Sequence, residues 1–96
     1  KYADTKIETL KDLKPELRRR FYVNSIGLFG SIVRDDFSPS RSDIDIIVDF
    51  NRPIGIEFID LADFLESKFD RKVDLVSKRG IKPKYLEQIQ SEVVYV

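Results

Sequence analysis

Two aspartates one residue apart, Asp43 and Asp45, open the run DIDIIVDF, and a third, Asp74, stands between Val73 and Leu75. In an extended chain successive side chains point to opposite faces. Asp43 and Asp45 therefore project together, while Ile44, Ile46 and Val48 turn toward a core. Neighbouring carboxylates repel unless water surrounds them or a cation lies between them. The chain has no histidine and no cysteine, so a metal would find only oxygen donors, which select magnesium or manganese over zinc. A solvated strand end accounts for most isolated D-x-D pairs. Asp49 shares the parity but lies too far along to join the same ion, and reads as surface. Asp74 sits in an apolar run and needs a partner. A metal shared with Asp43 and Asp45 would supply one, and a salt bridge to Lys72, Lys78 or Arg79 is the structural alternative.

Gly30-Ser31 is a second element with chemical potential. A glycine closing a strand lets the backbone approach a ligand, and the turn after it presents free N–H groups and a hydroxyl to an anion. For this pair taken alone, a glycine turn with a serine helix cap is the preferred explanation.

The rest of the composition narrows the chemistry. A length of 96 residues suits one compact domain, residues 1–96, with one core. The charged fraction of 35% with zero formal net charge fits a charged surface without general attraction to nucleic acid or membrane. Without cysteine or histidine there is no disulfide, thiol nucleophile or Ser-His-Asp relay. No apolar run is long enough to span a membrane, no signal peptide opens the chain, and a cytoplasmic location is expected. The chain contains no Met, and Lys1 is not expected to be an encoded start. Acids dominate from Asp35 to Glu66 and bases from Lys68 to Lys84. Lys78, Arg79, Lys82 and Lys84 follow soon after Asp74 and are expected near the same rim, facing phosphates or an acidic partner. Two oppositely charged solvated faces explain the pattern as well.

The elements that position these residues alternate. Ile7, Leu10, Leu13 and Leu17 have helical spacing, with Pro15 expected to divide the segment or start a second helix. Val23 to Phe29 reads as a strand, Ser31 to Phe37 as one or two helical turns, and SPSRS as a polar turn. Asp43 to Phe50 is a β-branched strand. Ile54, Phe58, Leu61, Leu65 and Phe69 form one stripe of an amphipathic helix. Lys72 to Val76 is a third strand, a last helix runs from Pro83 to about Gln90, and Val93 to Val96 is a short strand or tail. The long amphipathic helix and the last helix are expected to cover one face of a small sheet, in an α/β layered domain.

Together, Leu28-Phe29-Gly30-Ser31, Arg34, Ser42-Asp43-Ile44-Asp45, Val73-Asp74-Leu75-Val76 and the later Ile81-Lys82-Pro83, Ile89 and Glu92 resemble the DNA polymerase beta superfamily. Within it the likeness is to the minimal nucleotidyltransferase proteins, and it extends from about Val23 to Val96. Two departures are visible. The stretch from Ile32 to Ser42 is one residue longer than the family usually has, and Asp35, followed by Asp36, stands where a glycine is usual.

The resemblance implies the nucleotidyltransferase fold, α+β with helices packed on a small mixed sheet. It implies that Asp43, Asp45 and Asp74 are catalytic and hold Mg2+ in a two-metal site, with ATP as substrate. Asp74 would complete the second metal position or help to deprotonate the attacking hydroxyl. Gly30, Ser31 and Arg34 would bind the nucleotide phosphates. Larger members carry an acceptor-gripping domain for which this chain has no room, so the acceptor site would come from another polypeptide or from self-association. The small proteins act as antitoxins that pair with an all-helical HEPN toxin and transfer AMP to one of its tyrosines. A contact-only antitoxin without catalysis is the alternative. A small-molecule nucleotidyltransferase is a third, weighed down by the missing acceptor domain.

Overall fold

The computed structural model describes residues 2–34, 36–38 and 40–96. Its elements run α1 (Tyr2–Phe21), β1 (Val23–Phe29), α2 (Ser31–Arg34), β2 (Ile44–Phe50), α3 (Glu57–Phe69), β3 (Val73–Ser77), α4 (Pro83–Gln90) and β4 (Val94–Tyr95). The strands form one mixed sheet in the order β3-β2-β1-β4. β1 pairs antiparallel with β2 and β4, and β2 pairs parallel with β3 across the α3 crossover. The expected mixed sheet with packed helices is the architecture found.

Strand alternation divides the sheet into two unlike faces. On one, Ile26 and Leu28 of β1, Ile44, Ile46 and Val48 of β2 and Val73 of β3 pack against Leu10, Leu17 and Phe21 of α1 and Leu61, Leu65 and Phe69 of α3. Most of these side chains are fully enclosed, and each such Leu or Ile contributes roughly 1.5–3 kcal/mol by leaving water. On the other face a small cluster of Phe29, Ile47 and Ile89 forms beneath α4, with Val76, Ile81, Leu86 and Val93 around it. The expectation that α3 and α4 cover the same face is therefore corrected. Ile89 and Leu86 of α4 pack on the odd-numbered residues of β1 and β2, which point away from α3.

Pro15 neither divides α1 nor starts a second helix, and the helix is continuous through it. Proline ordinarily breaks a helix interior because it lacks an N–H and clashes with the preceding turn. Here Leu10, Leu13, Leu17 and Phe21 keep one apolar stripe in phase on both sides of it, and Pro15 itself is exposed. Packing along that stripe outweighs the local preference. The long amphipathic segment becomes helical at Glu57, later than Ile54, and ends where Asp70 adopts a left-handed conformation, φ 51°.

Candidate active site

The geometry of the site begins with a row across three strands. Phe29 of β1 pairs with Asp45 of β2, and Asp45 pairs with Asp74 of β3. Asp45, Ile47 and Asp49 share a parity, so the acids lie on the α4 side of the sheet, opposite the large core. Asp43 stands immediately before β2. Its position is set by a clasped turn in which the Ser38 amide donates to Ser42 Oγ at 2.9 Å and the Ser42 amide to the Ser38 carbonyl at 2.8 Å. The turn is thus closed at Ser38 and Ser42, the ends of the SPSRS segment; Pro39 lies outside the described residues.

Arg71 ties this turn to the next strand. Its guanidinium donates to the Ser42 carbonyl at 3.3 Å and lies over the Phe37 ring, 5.1 Å from the centroid. The Val73 amide donates to the Glu66 carboxylate at 3.0 Å, and the Ile44 amide to the Lys72 carbonyl at 3.0 Å. These contacts hold the starts of β2 and β3 level, which sets Asp74 beside Asp45.

Gly30 is pressed against this row. Its φ is +77°, a conformation that side chains rarely tolerate, and a β-carbon there would overlap the Asp45 carboxylate. The Gly30 carbonyl accepts the amides of Val33 and Arg34 at 3.0 and 3.1 Å, closing the single turn of α2. The Ser31 hydroxyl makes no hydrogen bond among the described residues, so it does not serve as a helix cap. Arg34 projects from the end of α2 and donates to both Glu92 carboxylate oxygens, at 3.1 and 3.2 Å, with Asp36 3.7 Å from its Nε. That pairing, led by the Glu92 hydrogen bond, holds Arg34 still more firmly in its charged form. Asp36 thus lies against Arg34; Asp35 is outside the described residues.

Electrostatics mark Asp45 as the strained member. Burial first, then the charges of Asp74 and Asp43, push its carboxyl up to about 6, while Arg34 partly opposes them. Asp43 and Asp74 have no ion-pair partner among the described residues, so the salt bridge considered for Asp74 is not formed. Arg79 instead pairs with Asp49 at 3.3 Å and donates to the Phe50 carbonyl, at the far end of β2. The expectation that Arg79 belongs to the rim near Asp74 is corrected: β3 runs parallel to β2, so residues after β3 leave at the end opposite Asp45. Asp49, read as surface, is a half-buried partner of that arginine.

An open pocket of about 320 Å³ adjoins the row. Phe29, Gly30, Arg34 and Asp45 form one side, and Tyr85, Gln88, Ile89 and Glu92 form the other. Asp43, Asp74 and Ser31 lie outside its lining. Sequence reasoning attached no role to Tyr85 or Gln88, whose place depends on how α4 folds back over the sheet. Among the described residues no three acidic side chains stand close enough to share one metal ion as they are placed. The donor set still suits a hard cation, being all carboxylate, and strands about 4.8 Å apart keep Asp45 and Asp74 within side-chain rotation of a common ligand position.

A strand-closing glycine thus stands against a carboxylate, with a second acid at the same register and an arginine beside them. The model of the nucleotidyltransferase domain family matches residues 10–96, and the chain belongs to that family. Among curated relatives it is 45% identical to the protein adenylyltransferase MntA of Thermococcus cleftensis, over 86% of this chain and 84% of that protein. Two complexes are among the solved structures similar to it. One is a toxin–antitoxin complex with AMP-PNP, with TM-score 0.70, 29% identity, and coverage of 97% of this chain and 70% of that one. The other is a tri-AMPylated HEPN toxin of Shewanella oneidensis in complex with its MNT antitoxin, with TM-score 0.62, 27% identity, and coverage of 98% and 67%. No helix among the described residues is long and apolar enough to cross a membrane.

Proposed function

We propose that this chain, as one catalytic domain over residues 1–96, is a magnesium-dependent adenylyltransferase that moves AMP from ATP to a tyrosine of a HEPN toxin partner, silencing it in the cytoplasm. The observation that carries the reading is the Gly30–Asp45–Asp74 row, which sets a close-approach backbone beside paired carboxylates. The names of the adenylyltransferase relative and of the AMPylated toxin complex support the acceptor and the nucleotide.

In this reading the Gly30 amide, the Ser31 hydroxyl and Arg34 hold the β- and γ-phosphates. Asp43, Asp45 and Asp74 would hold Mg2+, which would supply positive charge to offset the triphosphate and the charge developing on the departing pyrophosphate. The incoming tyrosine oxygen forms a bond to the α-phosphorus as the bond to the bridging oxygen breaks, and pyrophosphate leaves with the electron pair. Asp74, the most exposed of the three acids, would accept the tyrosine proton or align its hydroxyl. The protein supplies no nucleophile of its own, and the tyrosine comes from the partner.

The test is to incubate the chain with a HEPN toxin partner, magnesium and ATP labelled in the α-phosphate. Label is expected on a toxin tyrosine and none with Asp43→Asn/Asp45→Asn. Protection from the toxin that survives that double substitution, with no label transferred, would make the chain a contact-only antitoxin.

A further inference from the structure

Two of the three donors assigned above to phosphate, the Gly30 amide and Arg34, are already taken. The Gly30 amide donates to Glu92 Oε1 at 3.1 Å, across 62 residues of sequence, and Arg34 donates to both oxygens of the same carboxylate. A backbone N–H and a guanidinium converging on one carboxylate form an oxyanion site, filled by the protein's own anion. The Gly30 amide has one hydrogen and serves one strong acceptor at a time. A phosphate oxygen and Glu92 therefore compete for it. Glu92 also brings a further negative charge to the pocket that holds Asp45, so its presence opposes any anionic ligand twice over.

Glu92 can leave without unfolding the sheet. It lies in the link between α4 and β4, its amide bonded to the Ile89 carbonyl at 2.9 Å, and its side chain is a quarter exposed. Side-chain rotation alone moves the carboxylate toward solvent while the backbone pairing of β4 with β1 stays in place.

Resting on the phosphate-holding role of Gly30 and Arg34, we propose that Glu92 is a built-in competitor for phosphate. Its carboxylate occupies the Gly30–Arg34 site in the nucleotide-free protein and swings out when a nucleoside triphosphate binds. The competition sets a threshold: a ligand must bring enough phosphate charge, with its cation, to displace a carboxylate already in place. The same carboxylate returns as pyrophosphate departs, which weakens retention of that product.

The experiment is calorimetric titration with AMP-PNP and magnesium, and separately with magnesium pyrophosphate, of the wild type, Glu92→Gln, Glu92→Ala, Arg34→Ala and Arg34→Ala/Glu92→Ala. Removing a charged competitor that makes three hydrogen bonds should tighten both ligands about tenfold in Glu92→Ala, and less in Glu92→Gln, which keeps an acceptor for Gly30. The gain should shrink in the Arg34→Ala background, where half of the contested site is gone. Circular dichroism establishes that each variant is folded. In the wild type, the Glu92 carboxyl carbon resonance should move as AMP-PNP is added, and this reading needs no substitution. Unchanged or weaker binding in both folded Glu92 variants, or a carboxyl resonance that stays put at saturation, overturns the competitor role and makes Glu92 an anchor of the loop. Should no variant, wild type included, bind AMP-PNP, the phosphate site itself is wrong and this inference falls with it.

Discussion

Asp45 and Asp74 stand at the same register position on neighbouring parallel strands, and Gly30 lies against the first of them. Like charges directly opposite each other on a sheet destabilise it. On the function proposed above, a fold that keeps them together gives up stability for a ligand position.

That trade has a pH signature. The folded-state carboxyl of Asp45 is raised to about 6 from an ordinary value of 3.8, so the folded chain binds a proton that the unfolded chain has released. Stability from this group is complete below pH 4 and is lost as pH rises through 6. Asp45→Asn is expected to stabilise the ligand-free protein at pH 8 by about 1–2 kcal/mol, allowing for solvent screening of a half-buried group. The gain should vanish at pH 4, and thermal melts of both proteins across that range measure it. A substitution that destabilises equally at both pH values contradicts the assignment.

Metal and nucleotide should bind together. Three acids repel a bare triphosphate, and a cation between them reverses the sign of the interaction. Asp43→Asn or Asp45→Asn should weaken magnesium-dependent AMP-PNP binding by more than the roughly 10–100-fold typical of residues that only support a metal's ligands. Ser31→Ala should be milder, since the Gly30 amide and Arg34 remain. Equal AMP-PNP affinity in magnesium and in chelator would falsify the metal site.

Gly30→Ala combines two penalties, a left-handed backbone conformation and collision with the Asp45 carboxylate. The first alone costs about 1–2 kcal/mol. Chemical denaturation should reveal a larger loss than that, together with loss of nucleotide binding. In an Asp45→Ala background the stability loss should fall back toward the backbone value, because the carboxylate is gone and only a tight contact with the β-carbon is left. Additive losses in the double variant would mean that the two residues do not touch.

Arg79→Ala tests the corrected placement of the basic segment. Arg79 sits with Asp49 and the Phe50 carbonyl at the far end of β2. AMP-PNP affinity should stay within about twofold, and stability should drop by no more than roughly 1 kcal/mol, as for other exposed ion pairs. A large loss of affinity would return Arg79 to the phosphate rim.

Much of the sheet was legible because its strands obey one rule. The DIDIIVDF run alternates acid and apolar residues except at Ile47, so parity alone separates Asp45 from the core-facing Ile44 and Ile46. The start of α4 was readable from Lys82-Pro83, a proline at the first helical position. The continuity of α1 was hidden by Pro15, although the in-phase stripe of Leu10, Leu13, Leu17 and Phe21 carried the signal. Which face α4 covers was not readable, because Leu86 and Ile89 suit either side of the sheet and only the path of the chain after β3 decides. The hold of Glu92 on Gly30 was likewise invisible. It is a contact between distant segments, and no local pattern encodes it.

The two sheet faces differ in how firmly they are closed. Two long helices seal the face without acids, and the eight-residue α4 covers the other largely through Ile89 and Leu86. Local opening free energies follow the apolar contacts that must be broken, so α4 should lift away at far less expense than global melting. Amide hydrogens on α4 would then exchange with solvent well before those of α1 and α3. Such breathing bares Asp45 and its neighbours while the main core stays intact, so a bulky acceptor could gain entry through a fluctuation native to the fold.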